Sequence, residues 1–176
     1  MTIVLATTII LSMKTAMKRH LHAELQQTKP FPSLEEEVHV QILYTAQILA
    51  WAVDEALKPA GLSQSQFNVL RILRGARPGA PPAGKIAERM VNRDPDLTRL
   101  LDRLEAAALV EKSRDTEDRR VVNVRITNAG LERVEAASKA VNQAIRAALT
   151  NVGARDLNQL ADLLELARAS AKQQID

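Results

Sequence analysis

Apolar residues recur at three- and four-residue steps through almost the whole chain, and only between Leu109 and Ile126 does the step change to two. The first spacing lays a stripe along a helix and the second lays a face along a strand. A chain with one such switch folds as a mainly α protein carrying a small β-hairpin. The hairpin reads as a strand at Leu109-Val110-Glu111-Lys112, a turn at Asp115-Thr116-Glu117-Asp118 and a returning strand in which Val122, Val124 and Ile126 alternate with Asn123 and Arg125.

The helices around it are marked by their caps. Ser33 followed by Glu36 is a capping box, and Ile42, Leu43, Ala46, Leu49, Ala50, Val53 and Leu57 carry the stripe of a long helix until Pro59 and Gly61 stop it. Ser63 with Gln66 opens a second helix, with Phe67, Leu70 and Leu73 inward. Pro78-Gly79-Ala80-Pro81-Pro82 reads as a loop, and Ala83 to Val91 as a third helix. Asp94 as N-cap with Pro95 at the first helical position predicts a fourth helix, whose stripe of Leu97, Leu100, Leu101 and Leu104 runs to about Ala108. After the hairpin, Thr127 caps a helix striped by Leu131, Val134, Ala137, Val141, Ile145 and Leu149. Asp156 is expected to cap the last. Three short helices followed by a hairpin make a winged helix-turn-helix, here flanked by longer helices at both ends.

Composition removes several function classes. The 176 residues suit about one domain, and 46% hydrophobic with 26% charged residues is globular usage. Aromatic residues make up only 2%, which disfavours the stacking platforms of single-strand and RNA readers. With no cysteine there is no disulfide, thiolate metal site or cysteine switch, and the three scattered histidines suggest no metal or cofactor. No paired catalytic carboxylates, Ser-His-Asp set or phosphate loop is present, so the chain does not read as an enzyme.

Residues 1–32 remain an unassigned extension. The apolar run Thr2–Leu11 is too short to span a bilayer, and its basic residues Lys14, Lys18 and Arg19 follow it rather than precede it as a secretory signal requires. A cytoplasmic location without membrane attachment is therefore expected. The run is read either as an extension or as sequence upstream of a start at Met13 or Met17.

From Gly61 onward the motifs resemble those of the MarR family of bacterial winged-helix transcription regulators. Leu62-Ser63-Gln64-Ser65-Gln66-Phe67 is similar to the opening of the family's second helix, and Leu97-Thr98-Arg99-Leu100-Leu101-Asp102-Arg103-Leu104-Glu105 to its recognition helix. Asp115-Thr116-Glu117-Asp118-Arg119-Arg120 resembles its wing signature, and Val124-Arg125-Ile126-Thr127-Asn128-Ala129-Gly130 the strand ending in the family's (Leu/Ile)-Thr-x-x-Gly. The resemblance implies a homodimer held by helices at 33–60 and 128–176 around a winged domain at 61–127. It also implies double-stranded DNA as partner, with repression at a palindromic operator.

Thr98, Arg99 and Arg103 fall on the face of the fourth helix away from its leucines, where a helix in the major groove presents groups to base edges and phosphates. Arg103 is alternatively one member of a surface ion cluster with Asp102 and Glu105. Asp94 and Asp96 depart from the Ser or Thr usual in the family. They read as a cap and a dipole partner, or, for Asp96, as an acceptor for a cytosine amino group. Arg114, Arg119 and Arg120 surround the hairpin tip, and the resemblance implies that Asp118 braces one arginine while another enters the minor groove.

Between Lys85 and Arg125 ten basic residues face nine acidic ones, so any phosphate footprint must come from arrangement rather than bulk charge. The resemblance further implies release of DNA by a small aromatic effector in a crevice for which His39, Tyr44 and Trp51 are candidates; filling of the dimer core by Tyr44 and Trp51 is the other reading. The competing function is a winged-helix protein-interaction module without specific DNA binding.

Overall fold

The computed structural model describes residues 21, 23–91 and 96–174. Thr2–Leu11, Asp94 and Pro95 lie outside the described residues. The chain divides after Ile48 into two compact units, each taken here by itself.

The first unit contains the start of helix α1 (Leu34–Leu57). The Ser33 hydroxyl accepts the Glu36 amide at 3.2 Å, and Glu35, Glu36 and Glu37 occupy the first turn, where the helix dipole favours carboxylates. Leu34, Val38, Ile42, Leu43 and Ile48 keep their side chains exposed.

In the second unit α1 ends at the fully buried Leu57, a 3-10 turn follows at Lys58–Ala60, and Gly61 takes the left-handed φ of +62° that reverses the chain. Helix α2 (Gln64–Gly75) opens with both halves of the expected box: Ser63 Oγ accepts the Gln66 amide at 3.2 Å, and Gln66 Oε1 accepts the Ser63 amide at 2.9 Å. Helix α3 (Ala83–Arg89) stops two residues before the predicted end. Met90 turns to extended backbone, which sends its side chain into the core and leaves the next residue, Val91, exposed.

Helix α4 (Leu97–Ala106) corrects a second expectation. Its N-cap is Asp96, not Asp94, because the Asp96 carboxylate accepts the Arg99 amide at 3.3 Å. Strands β1 (Val110–Arg114) and β2 (Val122–Ile126) pair antiparallel with Val110 opposite Ile126, Lys112 opposite Val124 and Arg114 opposite Val122. The proline loop does more than connect. Pro81 carbonyl accepts the Val124 amide at 3.0 Å, and Pro82 bridges Asn123, so the approach to α3 is tied to the outer edge of the wing.

Thr127 caps helix α5 (Asn128–Ala148) by accepting the Gly130 amide at 3.0 Å, while its hydroxyl donates to the Ala108 carbonyl at 2.8 Å. This close docking requires glycine at 130, where a Cβ would lie 2.1 Å from the Leu109 carbonyl oxygen. Helix α6 (Ala154–Lys172) begins after Gly153 rather than at the expected Asp156 cap. Gly153 has extended backbone and its carbonyl accepts the Leu157 amide at 2.9 Å, leaving Asp156 as a first-turn acid with no capping bond.

One apolar core joins these pieces: Leu57, Phe67, Leu70, Leu73, Ile86, Leu100, Leu104, Val110, Val124, Val134 and Val141 are all buried in it. No residue of α6 is buried, and its Leu160, Leu163 and Leu166 stand exposed.

Candidate nucleic-acid interface

The candidate interface belongs wholly to the second unit and is made by α4 and the β1–β2 wing. Leu100, Leu101 and Leu104 anchor α4 in the core, so Thr98, Arg99, Asp102, Arg103 and Glu105 are left on its exposed side. Near its start, Asp96 Oδ2 lies 3.1 Å from Arg99 Nε, which couples the capping carboxylate to the guanidinium.

The alternative reading of Arg103, an ion cluster with Asp102 and Glu105, finds no such ion pair among the described residues. Those two acids face Lys112 of β1, whose ammonium lies 2.5 Å from Asp102 and 2.8 Å from Glu105, and whose amide donates to Glu105 at 3.1 Å. Arg103 is exposed and has no acidic partner among the described residues. The hydrogen bonds to Asp102 and then Glu105 hold the Lys112 ammonium above the usual lysine range, because deprotonation would strand both carboxylates. Lys112 was missed in the sequence because it lies ten residues from Asp102 and only the fold of the wing brings them together.

Asp115 organises the wing tip. One of its oxygens accepts the Glu117 and Asp118 amides, and the other accepts the Asn123 side-chain amide at 2.9 Å. The Asn123 bond first, and the two backbone amides after it, hold the Asp115 carboxyl below the ordinary carboxylate range. Asp118 makes a brace of another kind from the one expected. Its carboxylate accepts the Arg120 main-chain amide at 2.9 Å, so it fixes the backbone beneath the arginine and not a guanidinium. Arg114 donates to the Arg119 carbonyl at 2.6 Å and so closes the tip from inside. Arg119 and Arg120 remain exposed, with no acidic partner among the described residues.

The residues expected to line an effector crevice are described unit by unit. His39 is exposed and Tyr44 half-buried in the first unit, and Trp51 is 69% exposed in the second. The second unit has its own crevice of about 410 Å³, lined by Val53, Phe67, Asn68, Arg71, Met90 and Ile145 among others. There Arg71 lies 5.6 Å from the Phe67 ring centroid. Among the described residues no acidic or histidine cluster could hold a metal, and no helix is long and apolar enough to cross a membrane.

Residues 62–122, covering α2 through the start of β2, match the model of the MarR family. YdgJ of Bacillus subtilis, named an uncharacterized HTH-type transcriptional regulator, is 33% identical over 105 residues, which span 59% of this chain and 62% of YdgJ. A MarR transcription factor structure from Planctomyces limnophilus is 36% identical with a TM-score of 0.61, over 77% of this chain and 98% of that one. A mutant MarR from E. coli, solved in complex with operator DNA, is 26% identical with a TM-score of 0.67, over 77% of this chain and 98% of that one.

Proposed function

The chain belongs to the MarR family of transcription regulators, and on that footing we propose that it binds double-stranded DNA sequence-specifically as a homodimer and represses transcription from a palindromic operator. One observation carries the reading: Asp96, Asp102, Glu105, Asp115 and Asp118 each already hold a main-chain amide or a cation, while Arg103, Arg119 and Arg120 project outward. Those five acids are engaged while the three arginines are not, although Glu111 and Glu117 also stay exposed in the same nearly balanced segment.

In this mechanism α4 enters the major groove with Thr98, Arg99 and Arg103, and the wing offers Arg119 or Arg120 to the adjacent minor groove. Arg114 supports the tip through its bond to the Arg119 carbonyl. The related MarR variant solved in complex with operator DNA supports the DNA-binding reading. Such a regulator works in the cytoplasm, beside the chromosome.

Dimerisation follows from apolar surface that needs cover. On α6, Leu160, Leu163 and Leu166 line up at three-residue steps and are all exposed; α1 separately exposes Leu34, Val38 and Ile42. A two-fold dimer would place two α4 helices on half-sites about one helical turn apart. Release by a small aromatic anion belongs to the same reading, and the crevice of the second unit, where Arg71 lies beside Phe67, supports it.

Hydroxyl-radical footprinting on the intergenic DNA beside the gene tests the proposal. Two protected patches about 10 base pairs apart, overlapping a promoter, are expected. Protection without sequence preference, or none, would favour the protein-interaction module instead.

A further inference from the structure

The wing hairpin is tied on both of its edges at one rung. Lys112 of β1 stands opposite Val124 of β2, and their main-chain amides point away from each other. The Lys112 amide donates to Glu105 Oε1 of α4 at 3.1 Å. The Val124 amide donates to the Pro81 carbonyl at 3.0 Å, and the next residue, Pro82, leads directly into α3. Glu105 is itself held, because its other oxygen lies 2.8 Å from the Lys112 ammonium, which also reaches Asp102 at 2.5 Å. Val124 is fully buried in the core between these ties. Pro82 bridges Asn123, and nearer the tip the bonds stay within the hairpin: Arg114 donates to the Arg119 carbonyl, and the Asp115 amide donates to the Val121 carbonyl at 3.0 Å.

We propose that this rung is the root from which the wing is aimed and that Glu105 is its positioning residue, setting how many base pairs separate the α4 contact from the minor-groove contact of Arg119 or Arg120; the inference rests on the DNA-binding reading above. Three arguments support it. A bond to a main-chain amide holds the strand itself, so the tie does not depend on an ion pair between side chains, which near a surface adds little. Glu105 follows the fully buried Leu104 in the last turns of α4, so the strand is fastened to the helix that enters the groove. The hairpin then acts as a lever. Its turn begins three residues past the rung, about 10 Å at roughly 3.4 Å per residue, so a swing of roughly 20° moves the tip by about one 3.4 Å base-pair step. Narrow A·T tracts concentrate negative potential over a few steps, so a tip displaced by one step meets a weaker field.

The test uses the full chain and the core of a duplex selected by it from a randomised library. An A·T tract is placed at successive one-base-pair distances outside that core on each half-site, one further duplex carries no tract, and binding is read by fluorescence anisotropy at fixed salt. Wild type should prefer one distance roughly ten-fold over its neighbours. Glu105→Ala removes the amide bond and should bring neighbouring distances to within about two-fold, while affinity for the tract-free duplex holds. Glu105→Gln keeps an oxygen for the Lys112 amide and should retain most of the preference. Circular dichroism on each variant confirms that the helices are folded. The proposal is overturned, with DNA binding intact, if wild type has no preferred distance, if Glu105→Ala keeps the wild-type preference, or if Glu105→Gln loses it as fully as Glu105→Ala. It is equally overturned if Glu105→Ala weakens the tract-free duplex as much as the others, since that is a general structural effect. If wild type binds no duplex, both readings fall together.

Discussion

Lys112 of β1 lies 2.5 Å from Asp102 of α4, and the same ammonium reaches Glu105 one turn on at 2.8 Å. The wing is thereby clamped to the helix that carries Thr98, Arg99 and Arg103. With its side chain only 23% exposed, Lys112 is poorly placed to touch DNA itself, so its contribution to binding is through the relative placement of the two surfaces.

Replacing Lys112 with Ala should cost about 1 kcal/mol of folding stability, at the upper end for a pair near the surface. DNA affinity should fall several-fold while the salt dependence of binding stays at the wild-type slope, since no phosphate contact is lost. Because the folded state raises the lysine above its ordinary value of 10.5, the clamp's stabilisation is complete below that value and is lost as pH rises through the folded one. Thermal melts of wild type and variant should therefore converge at strongly alkaline pH.

Asp115 carries the opposite sign. Its carboxyl is held below the ordinary 3.8, so its stabilisation of the tip is present above that value and disappears as pH falls through the depressed one. Amide resonances of Glu117 and Asp118 should lose their downfield shifts only in strong acid. Asp115→Ala should release them at neutral pH and weaken operator binding by loosening Arg119 and Arg120, leaving the global melting temperature nearly unchanged.

Gly130 tests the joint between wing and α5. Alanine there would put a Cβ 2.1 Å from the Leu109 oxygen, and main chain gives way reluctantly. Gly130→Ala should destabilise the fold by about 1–3 kcal/mol or more, measured by urea unfolding. A neutral result would mean that the Thr127 bonds to Ala108 and Gly130 do not hold this joint closed.

These features divide by how far apart the interacting residues lie in the chain. Ser33 with Glu36, Ser63 with Gln66 and Thr127 with Gly130 are bonds across three residues, and their caps were legible because the geometry is local. The wing was legible in the alternation of Val122, Val124 and Ile126, two of which bury and one of which half-buries. At the start of α4 the Asp-Pro pair outweighed a second carboxylate two residues later, and Asp156 outweighed Gly153 at the start of α6. In both, composition identified a helix start and the backbone set its position. Contacts made only by folding were not legible. Lys112 meets Asp102 across ten residues, and Pro81 meets Val124 across the whole of α3 and α4. The candidate arginines were therefore visible as residue types, whereas the acids that hold the structure around them were not assigned their partners.

The central claim, that engaged acids leave Arg103, Arg119 and Arg120 free to meet duplex DNA, is tested most directly by a salt titration of operator affinity. On a selected duplex, log K should fall linearly with log salt at a slope of about −0.9 per phosphate contacted. Arg103→Ala should flatten that slope by about one contact, and Arg119→Ala or Arg120→Ala should weaken binding at every salt concentration. An affinity that does not change with salt, or that survives all three substitutions, would contradict the account.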